Sequence, residues 1–164
     1  MGGGPVIFVT VGSMLPFDRL IRAADAWAPA AGQEVFAQIG NSGYKPLHMP
    51  FAKMLTPGEF TEKLRSACLV VAHAGMGTVI SAMEAGKPIV VLPRRAADRE
   101  VTTDHQIHTA NWLKDKPGVL VAATEADLAP VIAKAMETLA TAATRVPDSA
   151  PPELIARIRS FLGA

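Results

Sequence analysis

Two short segments rich in glycine and hydroxyl side chains lie at the ends of apolar, strand-like runs. Thr10-Val11-Gly12-Ser13 closes the first run, and His73-Ala74-Gly75-Met76-Gly77-Thr78 joins a later run to a helical pattern. Glycines let a ligand approach the backbone closely, and the first N–H groups of the helix, here those of Gly77, Thr78 and Val79, have no partner within it. Such groups bind anions, and a diphosphate is the natural ligand. The alternative is a tight turn that merely requires glycine.

These glycines do not fit the two best-known phosphate-binding motifs. A dinucleotide fingerprint beginning at Gly75 requires glycine or alanine at the position of Ile80, and an acidic residue about twenty positions further on at a strand end, which is lacking. A Walker A loop ending at Gly86-Lys87 requires glycine in place of Ser81 and a hydroxyl residue in place of Pro88. The sequence therefore argues against NAD-binding proteins and P-loop NTPases.

Polar residues further along the chain could bind hydroxyl groups. Glu84 lies two turns into the helix that opens at Gly77, and its carboxylate could accept hydrogen bonds from paired hydroxyls such as those of a ribose. The alternative is a solvated carboxylate, although the residues around Glu84 are otherwise uncharged. Asp104 and Gln106 open a later helix and offer polar side chains to a polyol.

The sequence offers little support for a metal site or a hydrolytic triad. His105 and His108 are too few as metal ligands, since a structural site uses four. Ser13, His73 and Asp104 have the residue types of a triad, but no G-x-S-x-G segment supports such a serine. We therefore predict no metal and identify no catalytic residue.

The elements that position these residues alternate between strand-like and helical patterns. Runs rich in Val and Ile predict strands at 6–11, 34–39, 68–73, 89–92 and 119–122. Amphipathic patterns predict helices at 18–28, 57–67, 77–85, 103–114 and 125–139. The helix at 57 has Thr56 as N-cap, Pro57 in first position and Glu59 to complete a capping box. This alternation predicts an α/β fold with a doubly wound, Rossmann-like parallel sheet covered by helices on both faces.

Composition narrows the class of protein. The chain has 164 residues, of which 49% are hydrophobic and 19% charged, with a formal net charge of +1, as is typical of a compact soluble domain. It has neither a basic field nor an aromatic platform, so nucleic acid is not an expected partner.

The single cysteine, Cys68, is predicted to be a small buried side chain. Without a disulfide or a signal-like start, the expected location is the cytoplasm.

Taken in order, these segments resemble the C-terminal donor-binding half of the GT-B glycosyltransferases, specifically the glycosyltransferase family 28 C-terminal domain. The resemblance is strongest to its stand-alone members, the Alg13-like subunits and the PssE/EpsE-like exopolysaccharide glycosyltransferase subunits. It spans residues 6 to about 110, and the segments that carry it are Val9 to Ser13, Gln38 to Ser42, His73 to Thr78, Glu84, Gly86 to Pro93, and Asp104 to Gln106.

The resemblance implies a UDP-sugar as donor substrate and no metal cofactor. The donor-binding residues of the family correspond here to Gly12, Ser13, His73, Gly75, Met76, Gly77, Thr78, Glu84, Asp104 and Gln106. Ser13 and the turn from His73 to Thr78 would contact the diphosphate, Glu84 would hold the ribose hydroxyls, and Gln106 with Asp104 would hold those of the sugar. N–H groups at a helix start would stabilise the leaving diphosphate in place of a bound cation.

One stretch departs from the family. The segment before Gln106 carries Arg94, Arg95 and Arg99, where the family has a short acidic or asparagine-bearing stretch. A solvated loop is the expectation for these arginines, and contact with phosphate or with a partner is the alternative.

The resemblance also implies a partner. Residues 1–140 are the expected nucleotide-sugar donor-binding domain, and residues 141–164 a Pro-rich linker with a C-terminal helix, Glu153 to Leu162. The half that binds the acceptor and supplies the base is expected from a membrane-anchored subunit of the Alg14/PssD type. The complex would be a hexosyltransferase at the inner face of the membrane that acts on a lipid-linked acceptor in polysaccharide or glycolipid synthesis. The alternatives are a non-catalytic nucleotide-sugar-binding or scaffold module that regulates a partner transferase, and a hydrolytic or epimerising enzyme on UDP-sugars.

Overall fold

The computed structural model of the protein describes residues 4–141 together with residues 153 and 156. The strands within this part are β1 (Val6–Thr10), β2 (Val35–Gln38), β3 (Phe51–Ala52), β4 (Ala67–His73), β5 (Ile89–Leu92) and β6 (Val119–Val121). The α-helices are α1 (Asp18–Trp27), α2 (Pro57–Ser66), α3 (Met76–Glu84), α4 (His105–Leu113) and α5 (Glu125–Thr141). Short 3-10 helices lie at Ala28–Ala30 and Ala96–Asp98.

The strands form one parallel sheet in the order β3-β2-β1-β4-β5-β6. The chain builds outwards from β1 to β3, then returns to place β4 on the other side of β1. The strand order therefore reverses between β1 and β4, and in doubly wound sheets ligands bind in the crevice at the carboxyl ends of the two strands at such a reversal. The predicted doubly wound parallel sheet is confirmed.

Helices cover both faces of the sheet because the strands are apolar on both sides. Side chains alternate along a strand, so Ile7 and Val9 of β1 face one core cluster while Phe8 faces the other. Helices α1 and α5 pack on the first face, and α2, α3 and α4 pack on the second. Each large aliphatic or aromatic side chain buried in this way contributes about 1.5–3 kcal/mol.

The observed elements agree with those predicted, apart from β3. The five predicted strands and five predicted helices are confirmed, with ends that differ by at most two residues. Strand β3 is missed because a two-residue strand shows no alternation of polar and apolar positions. The capping box of α2 is confirmed, since Thr56 Oγ1 accepts from Glu59 N at 3.3 Å and Glu59 Oε2 accepts from Thr56 N at 2.7 Å.

The C-terminal segment is largely outside this description. The predicted Pro-rich linker and the helix Glu153 to Leu162 lie outside the described residues, apart from Glu153 and Ala156, which are helical and exposed. The boundary near residue 140 therefore stays a prediction. Across the part of the chain that the structure describes, no helix is both long and apolar enough to cross a membrane.

A buried carboxylate on α1 anchors the loop between β2 and β3. Asp25 is fully buried and accepts hydrogen bonds from Tyr44 Oη at 2.6 Å, Leu47 N at 3.0 Å and His48 N at 2.8 Å. Burial by itself would raise the pKa of Asp25, but these hydrogen bonds hold it below its ordinary value. The carboxylate thereby fixes the path of the chain towards β3.

Replacing Asp25 by alanine should destabilise the fold by about 3 kcal/mol, because three donors lose their common acceptor. Tyr44→Phe removes only one of these bonds and should cost about 1 kcal/mol. Urea unfolding followed by circular dichroism measures both losses. Equal losses in the two variants would show that Asp25 does not organise the loop.

Candidate functional site

The carboxyl ends of β1 and β4 border a pocket at the point where the strand order reverses. Gly12 and Ser13 follow β1, and Gly77 and Thr78 lie in the first turn of α3, which follows β4. The pocket has a volume of about 430 Å³ and is lined by Gly12, Ser13, Gln38, Met54, Leu55, Pro57, Phe60, Thr61, Gly77, Thr78 and Ser81. The two segments singled out from the sequence are therefore neighbours in space.

A larger groove of about 820 Å³ lies between α1 and α5. Its wall consists mainly of alanine side chains and Trp27. Of its three charged residues, Arg19 and Glu125 pair with each other at 3.0 Å, and Arg22 lies 4.4 Å from the centre of the Tyr44 ring. Sites for polar ligands need several convergent polar groups, and the pocket at the strand ends has them. We therefore place the candidate site at the smaller pocket.

The first turn of α3 offers free N–H groups to this pocket. The helix begins at Met76, with Gly75 as an extended N-cap (φ −84°, ψ 131°) and no side-chain cap. The prediction of a free N–H at Val79 is wrong, because Val79 N donates to Gly75 O at 3.1 Å. The free groups are those of Met76, Gly77 and Thr78. The Met76 side chain is buried in the core, so only its backbone can reach a ligand.

Two glycines of the site make room for a histidine. A Cβ on Gly75 would overlap with the imidazole of His73, and one on Gly12, whose φ is +79°, would lie 2.7 Å from His73 Nε2. The imidazole therefore packs directly against both backbones. A Cβ on Gly77 would meet no atom within 4 Å. Of these three glycines, Gly77 is the one that keeps the pocket wall open to a ligand.

His73 ends β4 among three polar neighbours. Its Nδ1 lies 3.0 Å from Arg94 Nη1 and 3.3 Å from Gln106 Nε2, and its Nε2 lies 3.3 Å from Thr78 Oγ1. Burial, and after it the charge of Arg94, lowers the pKa of His73 to about 3. The imidazole is therefore neutral at pH 7 and a weak base. Among the described residues no carboxylate pairs with it, so a Ser/His/Asp triad is not formed.

Arg94 is a buried cation that forms no ion pair within the described part of the chain. It is 3% exposed, and its Nη2 donates to the carbonyl oxygens of Val11 at 2.9 Å and Leu15 at 2.6 Å. Its guanidinium carbon lies 4.9 Å from the centre of the Phe17 ring, and its Nε has no hydrogen-bond partner. Desolvation lowers the pKa of Arg94 to about 10, so the side chain remains charged at pH 7.

The expectation of a solvated arginine loop is wrong for Arg94. This residue follows β5 closely and lies beneath the loop after β1, whereas Arg99 is exposed and Arg95 pairs with Asp98. Helix α1 holds the loop in place, because Arg19 binds both carboxylate oxygens of Glu100, at 2.8 and 2.9 Å. The signal for burial in the sequence is the position of Arg94 only two residues beyond a fully apolar strand.

Gln106 and Asp104 have partners within the protein. Gln106 is 5% exposed, and its Oε1 accepts from Arg94 N at 3.1 Å while its Nε2 faces His73. Asp104 is exposed and accepts from Ala96 N at 2.9 Å. Both side chains hold the loop after β5 in place. Their contact with sugar hydroxyls stays a prediction.

Glu84 lies in a second pocket that adjoins the first. It is the last residue of α3 and is exposed. The second pocket has a volume of about 480 Å³ and is lined by Phe60, Thr61, Leu64, Arg65, Ser81, Glu84 and Ala85. Three of these residues, Phe60, Thr61 and Ser81, also line the first pocket, so a single cleft follows α3 from its start to its end. The binding of a ribose by Glu84 stays a prediction.

Gln38, to which the sequence assigns no role of its own, lies in the wall of the first pocket. Thr10 Oγ1 donates to Gln38 Oε1 at 3.0 Å, and Gly12 N donates to Thr10 Oγ1 at 3.1 Å. This orients the amide so that Nε2 faces the Met54 sulfur, a weak acceptor 4.0 Å away. A polar residue at the end of a buried strand is the signal that could have identified Gln38.

The converging groups suit an anionic ligand. The free N–H groups of α3, the charge of Arg94 and the hydroxyls of Ser13 and Thr78 all favour negative charge or donate hydrogen bonds. Among the described residues, no three His, Cys, Asp or Glu side chains are grouped as metal ligands. The two histidines considered as ligands lie on α4, where His105 Nδ1 is 3.0 Å from Thr103 Oγ1.

Comparison with known proteins gives a family match and a related sequence. The model of the glycosyltransferase family 28 C-terminal domain matches residues 6–151. The UDP-N-acetylglucosamine transferase subunit ALG13 of Yarrowia lipolytica is 26% identical over 136 residues, which cover 71% of this chain and 64% of that protein. The chain therefore spans less than two thirds of this relative's length.

Solved structures share the fold. An NMR structure of ALG13 matches with a TM-score of 0.64 at 16% identity, and the match covers 99% of this chain and 98% of the ALG13 chain. MurG of Acinetobacter baumannii matches with a TM-score of 0.63 at 19% identity, over 100% of this chain and 51% of MurG. The glycotransferase of kitacinnamycin matches with a TM-score of 0.64 at 18% identity, over 99% of this chain and 40% of the glycotransferase chain. These likenesses show the Rossmann-like fold of GT-B C-terminal domains.

The stability of the fold should fall by about 2 kcal/mol between pH 7 and pH 5 because of His73. The folded pKa of about 3 is below the ordinary value of 6.5, so the unfolded chain takes up the proton first. The stabilisation is thus present above pH 6.5 and is lost progressively as the pH falls towards 3.

Urea unfolding at the two pH values measures this loss in the original protein and in two variants. His73→Asn removes the titrating group and should flatten the dependence, whereas His108→Asn, at an exposed position on α4, should preserve it. An unchanged dependence in His73→Asn would contradict the assignment.

Proposed function

Because the chain belongs to the glycosyltransferase family 28 C-terminal domain family, we propose that it provides the donor site of a glycosyltransferase that uses a UDP-sugar. The observation that carries the proposal is the cleft at the strand-order reversal, where free N–H groups and the charge of Arg94 converge. A nucleoside diphosphate supplies the negative charge that this end of the cleft favours.

The diphosphate lies in this proposal between the loop after β1 and the start of α3. Ser13 and Thr78 offer hydroxyl donors, and Gly77 offers a backbone N–H without a side chain in the way. The apolar side chains further along the cleft, such as Leu55 and Phe60, provide a surface on which the nucleobase of the donor packs. Glu84, exposed in the adjoining pocket, accepts hydrogen bonds from the ribose hydroxyls.

The reaction transfers the sugar to a hydroxyl of the acceptor. The acceptor oxygen bonds to the anomeric carbon as the bond from that carbon to the diphosphate oxygen breaks, and UDP leaves with the negative charge. The N–H groups of α3 stabilise this charge as it develops, and we assign no metal cofactor to the step. His73 is neutral and bonded at both ring nitrogens, so it does not take the acceptor's proton.

We assign the general base, which takes the proton of the acceptor hydroxyl, and the acceptor site to a partner subunit. The Yarrowia relative is named as a subunit of a transferase, which supports an assembly of more than one chain. Apolar side chains are exposed near the mouth of the cleft, with Met14 82%, Leu15 44% and Met54 50% exposed, and they offer a partner a contact surface. The partner is membrane-anchored in this proposal, holds the chain at the cytoplasmic face and binds a lipid-linked acceptor for polysaccharide or glycolipid synthesis.

Titration of the isolated protein with UDP, GDP and ADP tests the donor site directly. We expect UDP to shift the backbone amide NMR signals of Ser13, Gly77, Thr78 and Glu84 more than the other two nucleotides do. Amide shifts detect binding even at millimolar dissociation constants, as half of a cleft would show. An absence of shifts with every nucleotide would refute an independent donor site and favour the scaffold alternative.

Glu84→Ala should weaken UDP binding about tenfold, because a charge-assisted hydrogen bond to the ribose is lost. Glu62→Ala is the matched control, since Glu62 is an exposed glutamate of α2 and does not line either pocket. The same titration gives both affinities. An unchanged affinity in Glu84→Ala would place the ribose elsewhere.

A further inference from the structure

The charge of Arg94 is not balanced by a carboxylate at close range in the described part of the chain. Glu100 acts on Arg94 electrostatically, but both of its carboxylate oxygens are bound by Arg19. The guanidinium of Arg94 contacts two backbone carbonyl groups and the imidazole of His73, and its Nε has no hydrogen-bond partner among the described residues. A buried arginine with this set of partners leaves net positive charge beneath the strand ends.

The contact with Arg94 determines where the proton of His73 lies. A guanidinium can only donate hydrogen bonds, so Nδ1 of His73, 3.0 Å from Arg94 Nη1, must be the acceptor. The amide Nε2 of Gln106 is a second donor towards the same nitrogen. The neutral imidazole therefore carries its proton on Nε2.

The position of that proton in turn orients the hydroxyl of Thr78. The protonated Nε2 of His73 donates to Thr78 Oγ1, 3.3 Å away, so the Thr78 hydroxyl proton must point to another acceptor. The described residues provide no other hydrogen-bond partner for this hydroxyl. Thr78 lines the first pocket beside Gly77, so a ligand oxygen in that pocket is the available acceptor.

We propose that Arg94 is a positioning residue for the diphosphate of the proposed donor site, acting through His73 to turn the Thr78 hydroxyl proton towards a phosphate oxygen. The same side chain holds the carbonyl groups of Val11 and Leu15 and so fixes the loop that carries Ser13. Arg94 itself does not line the pocket. Its positive charge favours the diphosphate. Its contacts orient the Thr78 hydroxyl and hold the loop that carries the Ser13 hydroxyl.

A double-mutant cycle on UDP affinity tests the relay. Arg94→Met and Thr78→Val should each weaken UDP binding about tenfold, since Thr78→Val removes the hydrogen bond to the charged phosphate and Arg94→Met removes the contact that orients it. Because the two residues share one hydrogen-bond chain, the double variant should lose clearly less UDP affinity than the product of the two single losses. A loss equal to the product of the two single losses would overturn the relay.

Uridine and Arg99→Met provide the controls. Uridine has no phosphate, so its affinity should change less than twofold in all three variants if the effect is confined to the diphosphate. Arg99→Met removes an exposed arginine of the same loop and should leave UDP affinity unchanged. Equal losses for uridine and UDP would show that Arg94 supports only the fold of the cleft.

The position of the His73 proton can be read in the original protein, which covers the case in which Arg94→Met does not fold. Imidazole ¹⁵N NMR distinguishes the two neutral tautomers, and we expect the proton on Nε2 both before and after UDP is added. A proton on Nδ1 would overturn the proposal. If the original protein binds no UDP, the proposed function fails; if it binds UDP and Arg94→Met binds equally well, only the role of Arg94 fails.

Discussion

The guanidinium of Arg94, which pairs with no carboxylate of residues 4–141, holds the carboxyl edge of the sheet together. Moving the charge of Arg94 out of water is costly, and the cost is offset because its donors bond to carbonyl groups of the loop after β1 and to the imidazole of His73. The face of the guanidinium covers the ring of Phe17, and the Arg94 backbone N–H binds Gln106 on α4. Through these contacts the ends of β1, β4 and β5 and the start of α4 are held in one arrangement.

The topology of the sheet brings these groups together. Parallel strands end at the same edge, and the strand order places β4 between β1 and β5. His73 lies in register with Leu92, so Arg94, two residues further on, reaches the loop after β1 across the end of β4. Helix α3 starts from the same edge, directly after β4. The unpaired N–H groups of the helix and the charge of the arginine therefore act on a ligand in the same sense, since both favour negative charge.

The candidate residues divide according to what they bind within the protein. Gln106 and Asp104 are engaged with the loop after β5, whereas the side chains of Ser13 and Glu84 line the cleft and form no hydrogen bond with any described residue. The site is thus preformed where we propose that the diphosphate binds, because there the backbone and a buried charge supply the interactions. The residues predicted to hold the sugar are engaged within the protein, and on that side we propose that the partner contributes its own groups.

The fold class and the position of the candidate site at the strand ends could both be predicted from the amino-acid sequence, because both follow from local patterns. Apolar runs alternating with amphipathic segments predict a doubly wound sheet, and glycine-rich turns at strand ends mark its binding edge. The sequence did not reveal β3, which is too short to show a period, and it wrongly predicted a solvated Arg94. The assignment of Gly12 and Gly75 to a ligand stays a prediction, and the structure adds that both make room for His73. The burial of Arg94 depends on contacts with residues 21 to 83 positions away, and local patterns in one sequence carry no information on such distances. Which polar groups bond within the protein and which remain for a ligand depends on the three-dimensional packing, because their partners come from distant parts of the chain.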